Sequence, residues 1–301
     1  MKLIRLTAVI LLALCSTSRP APALESAGRL MARCEAVLWQ QKQDAGRGLE
    51  LADPNHSGLI GPEWSPLVTD IGHWGDKVAS ARPEMADALA GYFRRARLKR
   101  GDVIAVNASG SFPGFLLATL CAAQTLGLQP VVAYSLGASS YGATDPNFPF
   151  PAALEILRQR GHLKDFPLLI FPGGSQDRME QTLLEAPQPT VKALMNRWPQ
   201  NAVFPDSLDD GIARRQKFFD SYPVKCFVSI GTPETSTGLG DEILKLPRGL
   251  VLPVANYPLA QGLIWTYLRR GIPVVHLLYV RAICQDNRVV WHDQPDAPIA
   301  R

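Results

Sequence analysis

Apolar positions follow two regimes along this chain: short unbroken runs, and longer stretches in which they recur every three or four residues. The unbroken runs fall at 102–106, 130–134, 168–171, 225–230, 250–254 and 274–278. Runs of four to six such residues suit strands covered on both faces of a parallel sheet. The second regime predicts helices over 26–47, 83–98, 115–126, 152–160, 179–185, 191–197, 209–219 and 259–269. Residues 53–76 carry Pro54, Gly58, Gly61, Pro62, Pro66, Gly72 and Gly75, and read as loop. The alternation predicts an α/β fold: a Rossmann-like parallel sheet with helices on both faces and right-handed crossovers. Val224 to Thr232 opens a second half much as Asp102 opens the first, so two related halves are expected. Residues 24–100 then form N-terminal helices and a Gly/Pro-rich loop packed on an α/β core over 101–301.

Several predicted strands end in small, hydroxyl-rich turns. The first continues into Asn107-Ala108-Ser109-Gly110-Ser111, the second into Ser135-Leu136-Gly137-Ala138-Ser139-Ser140, and a later one into Gly231-Thr232. Open α/β sheets bind ligands outside the carboxyl ends of their strands. Backbone N–H groups at a following helix start, with hydroxyls and a glycine that permits close approach, suit a carboxylate or phosphate. Asn107, Ser109, Gly110, Ser111, Gly137, Ser139, Ser140 and Thr232 are therefore the candidate ligand residues. Ser109 could equally be a helix cap, as serine often is.

Catalytic and metal motifs are sparse. A nucleophile elbow needs glycine two residues either side of its serine. Ser109 is flanked by Asn107 and Ser111, and Ser111 by Ser109 and Pro113. No Walker loop or dinucleotide fingerprint follows any predicted strand, so no cofactor is expected. Asp53-Pro54-Asn55-His56-Ser57-Gly58-Leu59-Ile60 matches the first eight positions of a calcium loop, but Trp64 stands where the bidentate Glu belongs. Asx turns explain the same letters, and no metal is expected. Cys34, Cys121, Cys226 and Cys284 fit neither a zinc nor a CxxC spacing and read as small core hydrophobes.

Residues 1–23 change the charge picture. Lys2 and Arg5 precede an apolar run from Leu6 to Leu14 and then Ala21-Pro22-Ala23, the pattern of a signal peptide or N-terminal anchor. A periplasmic or other extracytoplasmic location follows, with a membrane tether as the variant of it. Cleavage would remove three of the 31 basic residues, leaving 28 against 27 acidic ones, a net charge of about +1. Without a basic patch interleaved with aromatics, nucleic acid is not an expected partner.

Four motifs in order resemble the poly-gamma-glutamate system protein family. They are Asp53-Pro54-Asn55-x-Ser57-Gly58-Leu59-Ile60-Gly61, Ser109-Gly110-Ser111-Phe112-Pro113, Gly137-Ala138-Ser139-Ser140-x-Gly142-Ala143-x-Asp145-Pro146, and Gly271-Ile272-Pro273-Val274-Val275-His276-Leu277-Leu278. The resemblance runs from about residue 50 to residue 280 and diverges at Tyr279-Val280-Arg281-Ala282 and beyond Cys284. It implies a bacterial pathway of polymer synthesis and export, and no catalytic residues. Together with the strand-end turns and the histidines of the chain, it leads to three expected functions. The first is an exported or tethered accessory protein that binds an anionic ligand at the strand ends. The second is a hydrolase or transferase acting on the gamma-glutamyl polymer, with His56 or His276 as base. The third is a non-catalytic scaffold for synthase components in the membrane.

Overall fold

The computed structural model describes residues 25–47, 52–180, 182–183, 188–254 and 256–293. The expected leader over 1–23 lies outside the described residues, and so does part of the helix expected over 179–185.

The chain opens with helix α1 (Ala27–Asp44), whose N-terminus is capped by the Ser26 side chain on the Arg29 N–H. A short strand β1 (Val68–Asp70) and helix α2 (Trp74–Ser80) arise inside the segment expected to be loop. Their sequence signal is masked by glycines. Helix α3 (Glu84–Arg95) carries Glu84 and Asp87 in its first turn and Arg94 and Arg95 in its last, matching the helix dipole. Strand β2 (Val103–Ser109) leads through Pro113 at the first helical position into α4 (Pro113–Leu126), which ends on Gly127 at φ +70°. Next come β3 (Gln129–Ser135), the two-residue β4 (Ala138–Ser139), α5 (Phe150–Gln159) and β5 (Leu168–Phe171). The second half holds α6 (Gln188–Met195), α7 (Leu208–Asp220), β6 (Val224–Ile230), the single turn α8 (Glu234–Thr237) and β7 (Gly249–Val251). It closes with α9 (Leu263–Arg269), β8 (Val274–Leu277) and α10 (Val280–Asn287).

Six strands form one sheet in the order β5-β3-β2-β6-β8-β7, and β1 pairs with β4 in a separate parallel pair. The protein is thus a Rossmann-like α/β fold. One half grows outward from β2 through β3 to β5, and the other grows from β6 through β8 to β7. The halves are not equivalent, because β7 runs antiparallel to β8 while the rest of the sheet is parallel. Every residue of β2 is buried, and alternate side chains go to opposite layers. Ile104, Val106 and Ala108 join the core with α1, α3, α4 and α5, whereas Val103 and Ala105 face Phe219 of α7 and Trp265 of α9. The N-terminal helices therefore share the main core with the sheet.

Two differences from the sequence expectation have local causes. Asn107, Ala108 and Ser109 continue strand β2, because β2 is central and has ladder partners on both sides: Ser109 pairs with Ser135, and Ala108 with Ile230. Met179 and Glu180 are not helical. Gln176, Asp177 and Met179 all have positive φ, and this left-handed winding brings Asp177 back beneath the sheet end while Met179 enters the core.

Candidate functional site

The strand order reverses between β2 and β6, so the switch-point crevice lies at their carboxyl ends. It opens there as a cleft of about 410 Å³. Ser109 and Ser111 come from the end of β2, Ser135 and Gly137 from β3, Gly173 to Ser175 from β5, and Thr232 to Thr235 from β6. Leu278 follows β8, Ser139 is in β4, and Thr69 to His73, Asp76 and Lys77 contribute from β1, α2 and the link between them.

Five of the residues expected from sequence thus meet in one cleft: Ser109, Ser111, Gly137, Ser139 and Thr232. Three do not line it. Gly110 lies where two loops cross: its N–H donates to the Gly137 carbonyl at 3.0 Å, and a Cβ there would stand 2.7 Å from the Leu136 carbonyl oxygen. Ser140 is buried behind the wall, its N–H donating to the Asp70 carbonyl. Asn107 is buried beneath the floor. Ser109 does not cap α4, because the cap position is Phe112.

The cleft's most unusual group escaped the sequence reading. Lys77 is 2% exposed, and its Nζ donates to Ser139 Oγ at 2.6 Å. It also stands 3.7 Å over the Phe112 ring. Burial pulls this ammonium down to about 7, with Asp76 and Asp70 acting in the opposite direction. A lysine in this state is a working base at neutral pH, as an unperturbed surface lysine is not. Its partner is held in turn: the Ser139 N–H donates to Ser111 Oγ at 2.9 Å. Gly72 closes over both, since a Cβ there would lie 2.9 Å from Lys77 Cε and 3.0 Å from Ser139 Oγ. Ser111 and Phe112 immediately precede α4, so the positive end of that helix adjoins the same hydroxyls.

The outer side of α2 is fixed by the end of the described chain. Trp291 Nε1 donates to Asp76 Oδ1 at 2.8 Å, and His73 Nε2 lies 3.1 Å from Asp293 Oδ1 with its ring stacked on Trp291. Asp70, Asp76 and Glu234 line the cleft as carboxylates, and Asp177 reaches its floor paired with Arg215, so its walls are not a cationic trap.

Under the floor lies a second buried cation. Arg215 of α7 is fully buried, forks onto Asp177 at 2.5 and 2.9 Å, and stacks 3.5 Å over Phe171. Its remaining N–H groups donate to Asn107 Oδ1, Ser135 Oγ and the Gly211 carbonyl. Asn107 Nδ2 continues to the hydroxyls of Thr235 and Ser236. One network thereby ties the ends of β2 and β3 to the turn after β5 and to α7 and α8. Asn107 organises the floor from below.

Neither histidine named as a base enters the cleft. His56 stacks on Trp39 at 4.5 Å, next to α1. His276 is buried in β8, where desolvation lowers it to about 4 and keeps it neutral. The calcium-like loop closes on itself: the Asp53 carboxylate accepts from the N–H and hydroxyl of Ser57 and from the N–H of Gly58. No cluster of three metal-ligating side chains occurs among the described residues. Cys34, Cys121, Cys226 and Cys284 are free and buried, as small core hydrophobes are. No described helix is long and apolar enough to cross a membrane.

No family model matches the chain, and no curated protein matches it. Among solved structures it is similar, at 14% identity, to an L-serine ammonia-lyase from the fungus Rhizomucor miehei, over 69% of this chain and 73% of that one, with a TM-score of 0.14. It is similar at the same identity to LysN, an alpha-aminoadipate aminotransferase from Thermus thermophilus, over 89% of this chain and 57% of that one, with a TM-score of 0.17. Likenesses this loose carry nothing about chemistry.

Proposed function

We propose that the protein is an acyl hydrolase or acyl transferase in which Ser139 is the nucleophile and Lys77 its general base. One observation carries the proposal: a lysine 2% exposed and titrating near 7 stands 2.6 Å from a serine hydroxyl at the ligand end of an α/β sheet. Neutral Lys77 takes the hydroxyl proton as Ser139 Oγ attacks a carbonyl carbon. The ammonium then gives that proton to the leaving group, and an ester to Ser139 remains. In hydrolysis, water attacks that ester, Lys77 takes a water proton, and the proton returns to Ser139 Oγ as the acid departs. Ser111 positions the nucleophile through the Ser139 N–H, and the N-terminus of α4 favours the developing oxyanion.

The four-motif resemblance supplies the pathway: an exported accessory enzyme of poly-gamma-glutamate synthesis or export, working beside its membrane synthase. A gamma-glutamyl amide is then the first substrate to try. The carboxylates of Asp70, Asp76 and Glu234 favour a chain end or a neutral derivative over a long polyanion. A second reading keeps the site non-catalytic, with protonated Lys77 and the surrounding hydroxyls gripping one carboxylate.

The test incubates purified protein with 4-nitrophenyl acetate and with gamma-glutamyl oligomers. Hydrolysis that rises through about pH 7 and falls by about 10³-fold in both Ser139→Ala and Lys77→Met supports the dyad. Absence of turnover, with calorimetric oligomer binding that strengthens below pH 7, would favour the carboxylate-binding reading instead.

A further inference from the structure

The cleft does not end at its hydroxyls. A second, shallower and more open recess adjoins it, sharing Asp76, Thr232 and Leu278. Past those shared residues the lining becomes mostly apolar: Leu244, Tyr279, Val280 and Ala282 follow, with Arg281 and Gln285 as its polar members. Leu244 is 61% exposed on a short turn over 241–245 and lines this recess beside Leu278. Val280 opposite is buried at the start of α10. A polar, base-bearing chamber thus opens directly onto an apolar trough, and a ligand that fills both is amphiphilic.

We propose that the recess is an acyl-chain subsite: the substrate is an uncharged ester or amide of a medium-length aliphatic acid, its carbonyl at Ser139 and its chain over Leu278 and Leu244. This rests on the acyl-transfer reading of the Lys77–Ser139 pair. The rim charges fit the direction of the reaction. An uncharged ester enters past Asp70, Asp76 and Glu234 without repulsion. Water cleaves it to an alcohol and a carboxylic acid, and the rim carboxylates oppose re-entry of the ionised acid from solvent.

Two measurements separate this inference from the reading beneath it. The first compares kcat/KM for 4-nitrophenyl octanoate and acetate. The octanoate should be favoured by at least about tenfold, since each buried methylene adds to transition-state binding. Leu244→Asp should collapse that ratio toward one. The second follows octanamide and acetamide binding to Ser139→Ala by calorimetry, which requires no chemistry. Octanamide binding that Leu244→Asp weakens at least about tenfold supports the trough even if wild type hydrolyses neither ester, an outcome that would sink the catalytic reading alone. Acetate hydrolysis dependent on Ser139 without chain-length preference, and with no octanamide binding, would overturn the trough and leave the dyad intact. No hydrolysis and no octanamide binding would overturn both.

Discussion

Two buried cations flank the same strand ends, and the protein treats them in opposite ways. Arg215, below the floor, has a forked carboxylate, two side-chain oxygens, a carbonyl and an aromatic face. Lys77, beside the cleft, has one hydroxyl and one aromatic ring. Arginine matches a planar, fully satisfied network and keeps its charge. The under-solvated lysine surrenders its proton near neutrality. A saturated cation makes scaffold, and a starved one makes a reactive amine.

The largest stability effect should come from the saturated side. Arg215→Met leaves Asp177 buried without its partner and should cost about 3–5 kcal/mol by urea titration. A cost under about 1 kcal/mol would mean that the network does not hold the strand ends. The starved side should respond with the opposite sign. Lys77→Met removes a charge the fold disfavours and should stabilise the protein by roughly 1–3 kcal/mol at pH 6. Folding lowers the lysine's proton affinity, so between about 7 and its ordinary value of 10.5 the unfolded chain binds the extra proton. Wild-type stability therefore gains as pH rises through that window, and the advantage of the Met variant should shrink there. An advantage that stays constant from pH 6 to pH 10 would contradict a lowered lysine. The smallest effect belongs to Ser111→Ala, which removes the acceptor for the Ser139 N–H. About 1 kcal/mol of stability and about a tenfold loss of kcat, with KM little changed, are expected.

The strand-and-helix alternation is legible in the sequence because it depends on local patterning, and so are the serine turns. What escapes is decided at long range. Lys77 sits on a seven-residue helix in a glycine-rich stretch, where a lysine reads as solvated; long-range packing on Phe112 and on Ser139 of β4 buries it. Arg215 follows Arg214 on α7 and looks like half of a surface pair. Arg214 does meet Asp210 at the exposed face, whereas Arg215 turns inward to Asp177, which is delivered by a left-handed turn that no local propensity predicts. Asn107 stands out along the chain as a polar residue at a strand end, but its place in a central strand directs it under the cleft. The direction of β7 depends on a connection that composition does not encode.

The two-strand pair of β1 and β4 has a consequence for how this protein would age under heat. Lys77 and Ser139 are 62 positions apart in sequence, and the backbone link between their neighbourhoods is a short parallel pair with an irregular register. A patch that small has little cooperativity of its own, while the six-stranded sheet beside it is buried on both sides. Warming should therefore part the dyad while the sheet is still intact. An activity that depended on this pair would be lost below the melting point of the fold, and far-ultraviolet circular dichroism would not register its loss.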